Sequence, residues 1–149
     1  MKIEVSTLIS APKERVWEAI TDFEHCQERI SGITAAEVLE RPESGLVGLK
    51  WTETREMFGK PATETMWITD SVPGESYTTR AENCGAVYIS QMRVTESDGG
   101  TLLSMSFSGE SDSVIGRVMS SIMGAFMKKS VSSMMQQDLE DIKASVEAS

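Results

Sequence analysis

The hydrophobic period of this chain changes from two residues to about 3.6 near Asp112, and that change limits the folds open to it. Between about Ile33 and Ser108, apolar and polar residues alternate in short runs separated by glycine and proline. Such runs are typical of antiparallel strands, whereas apolar residues recur at helical spacing after Asp112. A one-sided sheet and a long amphipathic helix can both bury their apolar surfaces only if the sheet curves around the helix.

The N-terminal segment adds one strand and two short helices to this plan. Residues 2–9 alternate as a strand, and Pro12 suits the first turn of a helix predicted over 12–22. A shorter helix is predicted through about Cys26–Ile30. We therefore expect an α+β fold in which a curved antiparallel sheet of six to seven strands wraps around the C-terminal helix. The whole chain, 1–149, is expected to form one domain.

The charge balance of the chain argues against polyanionic partners. With 14 basic and 23 acidic residues the net charge is −9, so nucleic acid and anionic lipid would be repelled. No apolar run approaches the roughly 20 residues that span a bilayer, and the N-terminus lacks the apolar block of a signal peptide. Cys26 and Cys84 are too few for a disulfide framework, so free thiols and a cytoplasmic location are expected.

Three predicted hairpin turns assign the strand residues to one buried face. The turns are centred on Gly59-Lys60, Pro73-Gly74 and Cys84-Gly85. The pairs that follow are Met57 with Ala62, Arg55 with Glu64, Glu53 with Met66, Trp51 with Ile68, Ile68 with Thr79, Met66 with Ala81, Ala81 with Tyr88, Thr79 with Ser90, and Tyr77 with Met92. These residues all point the same way, so one face is expected to be buried and the other solvated. Phe58 and Trp67 break the pattern and predict a small exposed patch.

Charged residues on the predicted inward face allow two interpretations. Arg55 would oppose Glu64, with Glu53 diagonal to it. These groups either orient the carboxylate, hydroxyl or carbonyl of a ligand, or form a structural ion pair near the sheet edge. Tyr77 and Tyr88 pose the same choice, because a buried tyrosine hydroxyl can serve a ligand or a neighbouring backbone group.

The C-terminal helix is unusually rich in methionine. Five of the ten methionines of the chain lie on it, namely Met119, Met123, Met127, Met134 and Met135. Methionine is flexible and polarizable and fills irregular apolar space, so this stripe favours an adaptable cavity, although such stripes also form ordinary cores. Metal and nucleophilic chemistry have little support, since His25 is the single histidine and no cysteine pair accompanies it. No glycine-rich phosphate loop is present either, and no cofactor is expected.

Three segments of the sequence resemble a known superfamily. The opening VSTLISAPKERVWEAITDFE resembles the SRPBCC superfamily, whose helix-grip fold is shared by START domains, birch-pollen-allergen-like proteins and polyketide cyclases. The segments GLKWTETREMFGKPATETMWITDSVPGESY and GGTLLSMSFSGE are similar to a bacterial polyketide cyclase/dehydrase-like subgroup. The resemblance implies a deep hydrophobic cavity between the sheet and the C-terminal helix. Members include carriers, cyclases and chaperone activators, so the fold alone does not decide the function.

The function we expect from the sequence is non-catalytic binding of a hydrophobic or amphipathic small molecule, of lipid or polyketide type, by a monomer or homodimer. The predicted ligand-binding residues are Trp51, Glu53, Arg55, Met57, Glu64, Met66, Ile68, Tyr77, Tyr88, Met92, Met105, Phe107, Met119, Met123, Phe126 and Met127. The alternative is an aromatase/cyclase acting on a polyketide-like substrate, for which the inward proton donors and acceptors would be Arg55, Glu64, Tyr77 and Tyr88. A protein-interaction module is a third possibility, and it predicts an exposed apolar patch.

Overall fold

The structure is a computed structural model that describes the backbone of residues 2–57, 59–83, 85–111 and 114–148. Within these ranges, side chains are described except at positions 57, 83, 110–111 and 114–127. The elements in chain order are β1 (Lys2–Ile9), α1 (Lys13–Ile20), a 3-10 turn (Phe23–His25), α2 (Cys26–Arg29), β2 (Ile33–Glu40), β3 (Lys50–Met57), β4 (Lys60–Val72), β5 (Ser76–Asn83), β6 (Ala86–Ser97), β7 (Gly100–Ser111) and α3 (Val114–Ala148).

The seven strands form one antiparallel sheet in the order β1-β7-β6-β5-β4-β3-β2. Strands β2 to β7 follow one another as a meander, and β1 joins beside β7, so β1 and β2 are the two edges. The sheet curves around α3, and α1 and α2 lie between β1 and β2 in the chain. The predicted helix-grip architecture is confirmed, with the strand number at the upper end of the expected range.

Two of the three predicted hairpin registers are confirmed by the strand pairing. Ile68 faces Thr79 across β4 and β5, and Tyr77 faces Met92 across β5 and β6. At the β4–β5 turn the Glu75 amide donates to the Val72 carbonyl at 2.9 Å. Gly74 supplies the positive φ of 75° that a type II turn needs at its third residue.

The predicted β3–β4 register was wrong by two residues. Met57 pairs with Lys60, so the loop consists of positions 58 and 59, where the sequence predicted Gly59-Lys60. Gly59 does have a positive φ of 79°, but a glycine can occupy either central position of such a turn. A shift of two residues preserves which face each side chain occupies, because strand side chains alternate with a period of two. It nevertheless changes every cross-strand partner in this hairpin.

The core lies between the inward face of the sheet and the C-terminal half of α3. Met135, Leu139, Ile142 and Val146 recur on one stripe of this helix and are each less than 5% exposed. Val16 and Ile20 of α1 complete the core beside Leu103 of β7 and Ile9 of β1. On the outer face Trp67 is half-buried, so it does not form the exposed patch that the sequence predicted; Phe58 lies outside the described residues.

Side chains of α3 also cover the free backbone edge of β1. The Lys143 ammonium donates to the Leu8 carbonyl at 2.7 Å, and the Gln136 amide donates to the Ser6 carbonyl at 3.2 Å. Just beyond the strand, the Ser10 amide donates to the Glu147 carboxylate at 2.8 Å. Positions 136, 143 and 147 share one helix face, so a single stripe of α3 holds the helix along this edge.

Candidate functional site

A cavity of about 110 Å3 lies between the inward face of the sheet, the helical segment that follows β1, and α3. The sheet contributes Trp51, Glu53, Arg55, Met66, Tyr77, Thr79, Ser90, Met92 and Met105. The helices and the segments joining them contribute Ala19, Ile20, Phe23, Cys26, Arg29, Ile30, Asp138 and Ile142. The wall is mainly apolar with a few polar groups, which is the usual character of a small-molecule site.

Three aromatic rings pack against one another in this wall. The ring centroid of Phe23 lies 4.5 Å from that of Trp51 and 5.5 Å from that of Tyr77. Phe23 is held by the 3-10 turn, whereas the other two rings project from β3 and β5. On the neighbouring strands Met66 lies beside Trp51 and Met92 beside Tyr77, and together with Met105 they supply flexible thioethers that can change rotamer.

A buried ion pair joins β3 to α3 at the cavity. Both terminal nitrogens of Arg55 donate to the Asp138 carboxylate, Nη1 to Oδ1 at 3.1 Å and Nη2 to Oδ2 at 2.7 Å. The side chains are 17% and 8% exposed, respectively. A bidentate arginine–carboxylate pair fixes orientation as well as charge. The contact therefore fixes the position of α3 relative to the sheet at the wall of the cavity.

Glu53 is a second carboxylate in the same cluster. Its Oε1 accepts a hydrogen bond from Trp51 Nε1 at 3.0 Å, and its Oε2 lies 3.6 Å from Arg55 Nη2. Burial raises the pKa of the Glu53 carboxyl, and the negative charges of Asp138 and Glu64 act in the same direction. The Trp51 hydrogen bond and the Arg55 charge oppose that rise without cancelling it. The Glu53 side chain is thus easier to protonate than a glutamate in water.

Two further titratable groups of the cavity wall are held in their neutral forms. Burial, and then the charge of Glu53, raise the pKa of the Cys26 thiol to about 12. Burial also raises the pKa of Tyr77, whose hydroxyl donates to the Ile20 carbonyl at 3.1 Å. This hydrogen bond fits the interpretation in which the tyrosine packs against its neighbours and satisfies a backbone group. Neither side chain is poised to give up a proton near neutral pH.

The structure brings seven of the sixteen predicted site residues to this cavity: Trp51, Glu53, Arg55, Met66, Tyr77, Met92 and Met105. Four others with described side chains do not line it. Ile68 is buried in the core, Tyr88 stacks on Phe107 with centroids 5.7 Å apart, and Glu64 is half-buried. The side chains of Met57, Met119, Met123, Phe126 and Met127 lie outside the described set.

The predicted partner of Arg55 was wrong. In the observed register Ala62 lies opposite Arg55, and Glu64 lies opposite Glu53. Like charges directly opposite each other on a sheet are unfavourable, which is consistent with the raised pKa of Glu53. The carboxylate that pairs with Arg55 comes from α3, 83 positions further along the chain.

Asp138 was not among the predicted site residues, although the helix pattern contained a signal for it. Position 138 is three residues after Met135 and four before Ile142, so it lies on the apolar stripe of α3. An aspartate on such a stripe requires a buried partner. Strand alternation placed Thr79 and Ser90 on the inward face but gave no reason to select them as site residues. The contributions of Cys26 and Arg29 depend on how the helices pack on the sheet, which the hydrophobic periodicity does not predict.

Neither a metal site nor a membrane span is found in the described part of the chain. Among the side chains that the structure describes, no group of three or more His, Cys, Asp or Glu residues could hold a metal ion. No helix within the described ranges combines the length and the apolar content needed to cross a bilayer.

Comparisons with known proteins relate this arrangement to a family and to several solved structures. The family model described as polyketide cyclase / dehydrase and lipid transport matches residues 1–147. The protein TTHA0849 from Thermus thermophilus is similar with a TM-score of 0.82 at 16% identity, over 99% of this chain and 98% of that one. No curated protein sequence matches significantly.

Two more of the similar structures have titles that describe their class. A START superfamily protein from Mycobacterium smegmatis has a TM-score of 0.81 at 14% identity, over 99% of this chain and 97% of that one. The di-domain ARO/CYC StfQ from the steffimycin biosynthetic pathway has a TM-score of 0.81 at 12% identity, over 99% of this chain and 51% of that one. At these identities the likeness concerns the fold.

Proposed function

This chain belongs to the polyketide cyclase / dehydrase and lipid transport family, and on that basis we propose that it binds a hydrophobic or amphipathic small molecule in the cavity without transforming it. The observation that carries the proposal is the cavity itself, which combines an apolar wall with a few convergent polar groups. Apolar burial at roughly 25 cal/mol per Å2 would supply most of the affinity.

The volume of the cavity limits what it accepts without rearrangement. Drug-sized ligands occupy sites of about 300–1,000 Å3, whereas an engineered cavity of about 150 Å3 binds benzene. The 110 Å3 observed here therefore suits a guest of one small ring or a short chain. A longer lipid or polyketide would require Met66, Met92 and Met105 to change rotamer and enlarge the space.

The proposal that the site is non-catalytic follows from the hydrogen bonds already made there. Cyclisation of a poly-keto chain needs a proton donor and a proton acceptor in contact with the substrate. Tyr77 already donates to a backbone carbonyl, Arg55 is held by Asp138, and Tyr88 lies away from the cavity. Glu64, the fourth residue on which the cyclase alternative depended, does not line the cavity either, so none of the four is available there to a substrate.

One observation still favours the aromatase/cyclase alternative. Glu53 lines the cavity, and burial raises its pKa toward the range that suits a general acid. The likeness to StfQ is compatible with this alternative at the level of the fold. Turnover of a model poly-β-ketone by the wild type, lost in Glu53→Gln, would favour it over simple binding.

A pair of serine variants tests the proposed function directly. Ser90 faces the cavity, and a leucine there would fill much of the space; Ser106 lies on the outer face of β7 and serves as the matched control. We expect toluene, which has one ring and fits the observed volume, to bind the wild type and to shift the 1H–15N NMR signal of the Trp51 indole. Ser90→Leu should weaken this binding about tenfold, while Ser106→Leu should leave it unchanged. Equal binding of toluene by all three proteins would show that it does not enter the cavity and would refute the proposal.

A further inference from the structure

We infer that the ligand of this cavity carries an uncharged oxygen, a hydroxyl or a carbonyl, held by the paired hydroxyls of Thr79 and Ser90, and that the same site rejects a carboxylate. The inference rests on the proposed function and adds the chemical class of the ligand. Neither residue was among the predicted site residues, and both line the cavity.

The two hydroxyls are neighbours with unused hydrogen-bonding capacity. Thr79 of β5 and Ser90 of β6 are directly opposite each other in the sheet, which places their Cβ atoms about 4.5–5.5 Å apart. Thr79 is only 6% exposed, and Ser90 is half-buried. Among the described residues neither hydroxyl makes a hydrogen bond. Because each can donate and accept, the pair can hold a carbonyl or a hydroxyl oxygen.

The cations of the cavity wall already have carboxylate partners. Arg55 makes its bidentate contact with Asp138, and Arg29 Nη1 lies 3.1 Å from Asp22 Oδ2. An anion moved from water into an apolar site needs a counter-charge of its own. Glu53 on the same wall would repel it as well whenever its carboxyl is ionised. A ligand carboxylate would have to break one of these ion pairs in order to bind.

The strongest alternative is that Arg29 binds an anionic ligand, so the experiment includes a variant of Arg29. Its Nη1 is shielded from solvent, and the contact with Asp22 has ion-pair distance without hydrogen-bond geometry. If this nitrogen could turn toward the cavity, it would serve as an anchor for an anion. The two interpretations predict opposite preferences for ligands that differ only in their polar group.

Toluene, benzyl alcohol and benzoate form a suitable set of probes because each carries one ring and fits the size of the cavity. Binding at pH 7 is followed by titration in 1H–15N NMR spectra, using the indole N–H signal of Trp51, which donates to Glu53 at the cavity wall. The variants are Thr79→Val and Ser90→Ala, which remove one hydroxyl each. Thr78→Val is the matched control, since Thr78 alternates with the buried Tyr77 and Thr79 and lies on the outer face.

We expect the wild type to bind benzyl alcohol at least tenfold more tightly than benzoate. Thr79→Val and Ser90→Ala should each weaken benzyl alcohol by about 3- to 10-fold, the usual effect of one hydrogen bond, without weakening toluene. Thr78→Val should change neither.

Three results would overturn the inference. Benzoate binding as tightly as benzyl alcohol would do so, and loss of that binding in Arg29→Met would identify Arg29 as an anion anchor. If Thr79→Val and Ser90→Ala both leave the ratio of benzyl alcohol to toluene affinity unchanged, the two hydroxyls do not bind the ligand oxygen. That result would overturn the inference but not the proposal that the cavity binds a small molecule. If none of the three probes shifts the Trp51 signal, the proposed function fails together with the inference.

Discussion

Replacing Arg55 by methionine tests whether the buried ion pair supports the fold. The substitution keeps a long apolar side chain and removes the charge, so the Asp138 side chain, which is 8% exposed, is left without its bidentate partner. Removing one member of a buried pair usually costs about 3–5 kcal/mol, because the other charge stays desolvated. We expect about 3 kcal/mol, the lower end of that range, since the Arg55 side chain retains 17% exposure.

The measurement is urea unfolding followed by tryptophan fluorescence at pH 7. With a denaturant slope of about 2 kcal/mol per molar, a loss of 3 kcal/mol lowers the urea midpoint by roughly 1.5 M. The double variant Arg55→Met/Asp138→Leu should recover most of the loss, because replacing both members by apolar side chains leaves no buried charge. Recovery separates the penalty of an unpaired carboxylate from a simple packing defect.

A surface arginine–carboxylate pair joined by a single short contact provides the control. Arg41 and Glu24 are 2.6 Å apart, but both side chains are 54% exposed. Exposed pairs contribute about 0–1 kcal/mol, so Arg41→Met should shift the urea midpoint by less than about 0.5 M. If Arg41→Met and Arg55→Met destabilise the protein equally, burial of the Arg55–Asp138 pair does not determine the loss of stability, contrary to this prediction.

The pH dependence of the Arg55→Met defect gives a second check on its cause. Burial raises the pKa of Asp138 above its usual value even beside Arg55, and removing the guanidinium removes an opposing influence. When the pKa of a carboxyl is higher in the folded than in the unfolded state, the protonated form favours the folded state. This contribution is fully present below the pKa of the unfolded state and is lost as the pH rises through the pKa of the folded state. The difference between variant and wild type should therefore be smaller near pH 4 than at pH 7. A difference independent of pH would point to packing instead.

Two further predictions concern other parts of the molecule. Gly100→Ala should destabilise the fold by more than about 3 kcal/mol in thermal unfolding, because the added Cβ would overlap the Ile9 carbonyl oxygen. Gly99→Ala is the control: Gly99 has a φ of 85° and open space around it, so this substitution should cost about 1 kcal/mol, and similar losses in the two variants would contradict the clash. In a Cys84→Ser protein, the Cys26 thiol, whose pKa burial raises to about 12, should react with DTNB at pH 8 more than 100-fold more slowly than free cysteine, and a comparable rate would show that the thiol is not buried.

The inward face of the sheet was predictable because strand side chains alternate strictly. Trp51, Met66 and Tyr77 were assigned to one face from turn residues, and the structure places all three at the cavity. The partners across β3 and β4 were not predictable, because Gly59 allows two turn registers that keep the same face. The Arg55–Glu64 pair depended on that choice of register, and it was wrong.

Contacts between elements that are far apart in the chain could not be predicted from the hydrophobic periodicity of the sequence. Asp138 reaches Arg55 only after α3 packs across the sheet, so its role depends on tertiary geometry and not on local periodicity. Likewise, alternation placed Tyr88 and Phe107 on the inward face, but it could not show that they stack on each other outside the cavity. The single-domain organisation, the cytoplasmic location and the monomer or homodimer state stay predictions.

The stripe of α3 that lies along β1 has a consequence for how this protein would aggregate. Unpaired carbonyls on an edge strand are a template on which another chain can add a strand. Lys143 and Gln136 occupy two such carbonyls, those of Leu8 and Ser6. A stress that separates the C-terminal end of α3 from the sheet would expose the Leu8 and Ser6 carbonyls before the strands themselves unfold. Self-association under mild heating is therefore expected to start by intermolecular β-sheet extension at the first strand.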